Sequence, residues 1–116
     1  MVRQNKITSL RIKVQEAIDQ QRIGAPKFLR CIVRTNNRKY LEEALAELQC
    51  LGETWFGTQP AESYQFGNDN SLYLTTLLKW PEGQGALLTV FSSNSDSFPQ
   101  FDLMLIGSRG TLYHEV

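Results

Sequence analysis

Acid–base chemistry could use three glutamates of one predicted helix, Glu42, Glu43 and Glu47. Glu43 and Glu47 lie one helical turn apart, so their carboxylates share a face. Two carboxylates act as acid and base when burial or a charged neighbour separates their pKa values. Nothing in the surrounding sequence predicts such burial, and a solvated helix face is the favoured interpretation.

The sequence contains few residues for histidine or cysteine chemistry. The single histidine, His114, lies in the predicted last strand, where an exposed edge position is favoured over a proton carrier. The two cysteines, Cys31 and Cys50, fall on apolar positions of a predicted strand and helix, so both are interpreted as buried free thiols. The sequence has no Cys-x-x-Cys pair and no Cys/His cluster. We therefore predict no metal site in this chain.

Two further features could bind a ligand. The stretch Gly107–Gly110 could hold an anion through backbone N–H groups, although a tight hairpin turn is the favoured interpretation. Four aromatic residues could stack on a sugar or a base, although core or interface positions are favoured at this spacing. They are Trp55, Phe56, Trp80 and Phe91.

Composition narrows the class of partner. The chain has 116 residues, the size of one domain, with 12 basic and 12 acidic side chains. A net charge of zero gives no long-range attraction to nucleic acid or anionic lipid, and no apolar run approaches the length of a membrane span. The first 20 residues lack the apolar segment of a signal peptide. We expect a single cytoplasmic domain over residues 1–116, with no nucleic-acid or membrane partner.

Hydrophobic spacing predicts two helices followed by a series of strands. Ile7, Leu10, Val14, Ala17 and Ile18 form one helical stripe, which we expect Gly24 to close. Leu41, Ala44, Leu45, Leu48 and Leu51 form a second stripe, which we expect Gly52 to end. The predicted strands cover residues 28–34, 55–66, 72–80, 86–93, 101–106 and 111–116.

The element order predicts an α+β fold, with an open, mostly antiparallel sheet of about five strands and two helices on one face. Two helices cannot cover both sides of such a sheet, yet the strands carry apolar residues on both faces. The uncovered face is predicted to hold Tyr73, Leu77, Leu87 and Phe91, or the residues that alternate with them on the same strands. We therefore expect this face to meet another protein surface.

Four stretches, taken in order, resemble the C-terminal, non-nucleotide-binding domain of the Gfo/Idh/MocA oxidoreductases. They are residues 14–26, residues 48–53 ending in Leu-Gly-Glu, residues 77–83, and residues 105–112 with Ile-Gly-Ser-Arg-Gly-Thr-Leu. The last stretch is the most specific, and together they span nearly the whole chain. The resemblance implies a mostly antiparallel sheet with helices on one side and an open face that packs against another subunit.

Departures from the family pattern shape the expected function. The sequence has no Gly-x-Gly-x-x-Gly turn for a dinucleotide, no room for one before Val14, and no histidine on the second helix. The resemblance implies that the family's catalytic lysine belongs to the absent domain. From these departures we predict no cofactor and no catalytic residue. We therefore expect a non-enzymatic module that dimerises, or docks on a protein partner, through its open sheet face.

Two alternatives remain at this point. The chain could be the C-terminal part of a split or truncated NAD(P)-dependent oxidoreductase. It could instead be a sensor of a small, sugar-like molecule, with a cleft lined by Arg30, Arg34 and Trp80.

Overall fold

A computed structural model describes the backbone of residues 2–67, 72–93 and 101–115 and the side chains of residues 11–67, 72–93 and 101–114. The predicted stripe residues Ile7 and Leu10, and Val116 at the end of the last predicted strand, lie outside the described side chains. The elements are α1 (Val2–Asp19), β1 (Pro26–Thr35), a 3-10 turn (Arg38–Tyr40), α2 (Leu41–Phe56), β2 (Glu62–Phe66), β3 (Tyr73–Lys79), β4 (Gly85–Ser92), β5 (Phe101–Gly107) and β6 (Thr111–Glu115).

The strands form one open sheet of six strands in the order β2-β3-β4-β1-β5-β6. Among the described strands, β1 and β4 form the one parallel pair, and the other four pairs are antiparallel. The predicted α+β class with an open, mostly antiparallel sheet is therefore confirmed, with six strands where about five were expected. β1 lies in the middle of the sheet because β4 and β5 each pair with it and not with one another.

The hydrophobic core lies between the sheet and the helices. Alternate residues of β1, namely Leu29, Cys31 and Val33, are at most 1% exposed, whereas the residues between them are half-buried. The same alternation runs through β3, β4 and β5. Helix α2 presents its stripe to this buried side, with Leu48 in full contact with the core. Full burial of each such side chain stabilises the fold by about 1.5–3 kcal/mol.

The expected end of α2 at Gly52 is wrong. The helix continues to Phe56 and ends at Gly57, whose φ of 79° is left-handed and whose N–H donates to the Glu53 carbonyl at 2.9 Å. Gly52 lies inside the helix, where a Cβ atom would come within 3.3 Å of the Trp80 ring. This glycine is therefore needed for close packing, and the strand expected from residue 55 begins only at Glu62.

The expected role of Gly24 is also corrected. Gln21, with φ 58°, closes α1, and the Arg22 N–H donates back to the Ala17 carbonyl at 3.1 Å. Gly24 is left-handed too, with φ 76°, but it lies in the following turn against the Ser108 side chain. Gly24, five residues beyond the end of α1, therefore allows a close contact with the distant β5–β6 turn.

The two thiols differ in their exposure to solvent. Cys31 is fully buried, as predicted, whereas Cys50 is exposed, because it lies on the solvent side of α2 and not on its apolar stripe. Burial, together with the negative charge of Asp102, raises the pKa of Cys31 from its ordinary value of 9.0 to about 12.

We predict that Gly107→Ala destabilises the fold by about 2 kcal/mol or more, because the added Cβ would overlap the Ile23 carbonyl, which is backbone and cannot rotate away. Gly110→Ala in the same turn is the matched control, since its Cβ would meet the Arg22 carbonyl at an ordinary 3.6 Å. The control should stay within about 0.5 kcal/mol of wild type in urea unfolding. Equal losses in the two variants would contradict this account of the turn.

We predict that a disulfide reagent such as Ellman's reagent modifies Cys50 quickly in the folded protein and reaches Cys31 only on unfolding. Two thiols reacting at the same rate under native conditions would refute the assignment.

The raised pKa of Cys31 also makes the stability of the fold depend on pH. Between pH 9.0 and about 12 the unfolded chain has lost the Cys31 proton while the folded chain keeps it, so Cys31 makes stability fall as pH rises through this range.

Candidate binding face

The side of the sheet away from the helices is named the open face. It holds every second residue from Phe28 to Arg34, from Glu62 to Phe66, from Tyr73 to Lys79, from Gly85 to Phe91, from Asp102 to Ile106, and from Thr111 to Tyr113. These residues are half-buried or exposed, whereas the alternate residues of the four central strands are buried. The two helices of the described chain lie on the other side, so the open face has no layer over it within these residues.

The four residues predicted for an interface are brought together on this face. Tyr73 pairs with Phe91, and Leu77 pairs with Leu87, across the β3–β4 ladder. Tyr73 is 52% exposed, and the other three are half-buried. The position of these side chains matches the alternation in the sequence, and their contact with another protein stays a prediction.

An apolar band, interrupted on β1 by Arg30, crosses the sheet through these residues. The pairing register places one residue from each strand in a single row: Tyr64, Leu77, Leu87, Arg30, Met104 and Tyr113. At the two ends of the row, Tyr64 is 47% and Tyr113 is 53% exposed. Phe66, in the next row, is 57% exposed. Sequence reasoning missed Tyr64, Phe66, Met104 and Tyr113 as members of this surface, because only the strand order aligns them with Leu77 and Leu87.

Two arginines on the central strand supply the positive charge of the open face near its middle. Arg30 forms an ion pair with Asp102, with Nη2 and Oδ1 3.5 Å apart. Arg34 donates through Nη1 to the Ser93 carbonyl at 3.3 Å and to the Asn36 side chain at 3.5 Å. The Nε atom of each arginine is shielded from solvent and has no hydrogen-bond partner among the described residues. Each guanidinium therefore retains one donor that its own described chain does not satisfy.

Three further polar contacts on the open face join neighbouring strands or nearby residues. The hydroxyl oxygens of Thr75 and Thr89 share one hydrogen bond of 3.1 Å across β3 and β4. Tyr64 donates its phenol proton to the Glu62 carboxylate at 3.1 Å, and this bond raises the pKa of Tyr64 above its ordinary range. Lys79 lies with Nζ 6.0 Å from the centre of the Tyr64 ring.

The structure separates Trp80 from the two arginines that were predicted to line a cleft with it. Arg30 and Arg34 lie on the open face, whereas Trp80 is 3% exposed on the helix side. Its ring meets Phe56 edge-on at 4.6 Å, and its indole N–H donates to the Thr58 carbonyl at 2.7 Å. Trp80 has the strand parity of Leu78, which points to the core. A sugar-binding cleft with Trp80 as its stacking surface is therefore not formed.

The other candidate residues take up structural positions. Glu42 and Glu43 are exposed on the first turn of α2, and Glu47 is half-buried on the same helix. His114 pairs with Leu103 on the helix side of the sheet and is half-buried. Over residues 11–67, 72–93 and 101–114, no three His, Cys, Asp or Glu side chains lie close enough together to hold a metal ion.

The glycine-rich turn between β5 and β6 uses its N–H groups within the protein. Ser108 N–H donates to the Ala25 carbonyl at 2.9 Å, and Arg109 N–H donates to the Ile23 carbonyl at 2.8 Å. The Ser108 hydroxyl in turn accepts from the Ala25 N–H at 3.0 Å. The turn therefore holds the segment before β1, and these N–H groups are not available to an anion.

The two helices give no membrane segment: neither described helix combines the length and the apolarity needed to cross a bilayer.

Comparison with known proteins identifies the fold. No family model and no curated protein matches the sequence. Solved structures do match: a candidate myo-inositol dehydrogenase from Sinorhizobium meliloti has a TM-score of 0.76 at 14% identity, covering 90% of this chain and 38% of its own. A myo-inositol dehydrogenase from Corynebacterium glutamicum has a TM-score of 0.73 at 13% identity, covering 90% of this chain and 37% of its own.

A third match is the WlbA dehydrogenase from Bordetella pertussis, solved with NADH and UDP-GlcNAcA. It has a TM-score of 0.67 at 14% identity, covering 91% of this chain and 40% of its own. The chain thus spans well under half the length of these dehydrogenases. At such low identity the likeness concerns the fold alone, and the chain has the sheet-and-helix fold of the part of Gfo/Idh/MocA-type oxidoreductases that the sequence resembles.

Proposed function

We propose that this chain is a non-enzymatic assembly module that forms a homodimer by packing the open face of one copy against that of another. The observation that carries the proposal is the apolar band, interrupted only on β1 by Arg30, on a face that neither described helix covers. Tyr64, Phe66, Tyr73 and Tyr113 are each about half exposed there. Monomeric proteins rarely leave an apolar surface of this extent in water.

The open face is large enough for a stable interface between two copies of the chain. Six strands about 4.8 Å apart and about 24 Å long give a face of about 600 Å². Two such faces in contact would bury about 1,200 Å² in total, at the lower end of specific protein interfaces. Aligned sheets also pack with their inner side chains interdigitated, which suits the aliphatic and aromatic residues of this face.

The resemblance to the oxidoreductases supports the same arrangement, since it implies an open face that meets another subunit. A cytoplasmic location is part of this proposal, and the two free thiols, Cys31 and Cys50, accord with a reducing compartment.

A second candidate function is that of the C-terminal part of a split or truncated NAD(P)-dependent oxidoreductase. It is favoured by the matched dehydrogenases, one of which was solved with NADH, and by the coverage of only 37–40% of their length. Against activity in this chain alone, the sequence offers no glycine-rich dinucleotide turn.

We predict that this chain alone gives no calorimetric signal with NADH, because the groups that hold the pyrophosphate are missing from its sequence. The measurement is an isothermal titration at ligand concentrations that would reveal micromolar binding. A clear binding isotherm would favour the oxidoreductase candidate over the assembly module.

We predict that Leu87→Arg converts the dimer to monomer or weakens it at least about 100-fold, because it places an unpaired charge in the middle of a desolvated contact. Size-exclusion chromatography with light scattering across a dilution series measures the change. Ala46→Arg is the matched control, since it adds the same side chain at an exposed position of α2 on the opposite side of the sheet. A wild-type chain that stays monomeric at every concentration removes the basis of the proposal.

A further inference from the structure

We draw no further inference here: the strongest candidate, the open groove between the two helices that is lined by Ile12 and Gln15 of α1 and Thr54 of α2, carries no proposal because nothing in the described residues shows what covers it.

Discussion

The rest of the structure depends on one constraint, namely that two helices can cover only one side of the sheet. A helix is about 10 Å wide with its side chains, so two helices extend over about 20 Å of a sheet that is about 24 Å across. They suffice for one side and leave nothing for the other. The alternation along β1, β3, β4 and β5 then divides each strand into a buried set and a set that stays in contact with solvent or with a partner.

Close approach between elements keeps the covered side compact. Gly52 lets the Trp80 ring lie against α2, and Gly107 lets the β5–β6 turn lie against the Ile23 backbone. A methyl group at Gly107 would overlap the Ile23 carbonyl, and one at Gly52 would press against the Trp80 ring at 3.3 Å. The glycines that looked in the sequence like the ends of elements are thus partly contact residues, and these contacts fix where the helices sit over the sheet.

Local sequence patterns predicted those features of the fold that depend on residues close together in the sequence. The period-two alternation of Phe28–Arg34 and of residues 72–80 puts Leu29 and Arg30 on opposite faces of the sheet, and Leu77 and Leu78 likewise, as they are in the structure. Strand order was not predictable in this way. The parallel pairing of β1 with β4 joins Phe28 to Gly85, residues 57 positions apart, and no local propensity encodes it.

The same limit explains the errors at the candidate site. Trp80 was grouped with Arg30 and Arg34 on side-chain chemistry alone, and its strand parity, shared with Leu78, places it in the core instead. Gly52 was expected to end a helix because glycine usually does. The helix continues because Trp55, one turn beyond, is buried in the core and stabilises that turn.

Sedimentation velocity of the unmodified chain over a wide range of concentration tests the central claim most directly. The account predicts that the sedimentation coefficient rises from that of a monomer to that of a dimer as the protein concentration increases, because two open faces bury one another. A single species of 13.2 kDa at every concentration, with the open face stable in water, would contradict it.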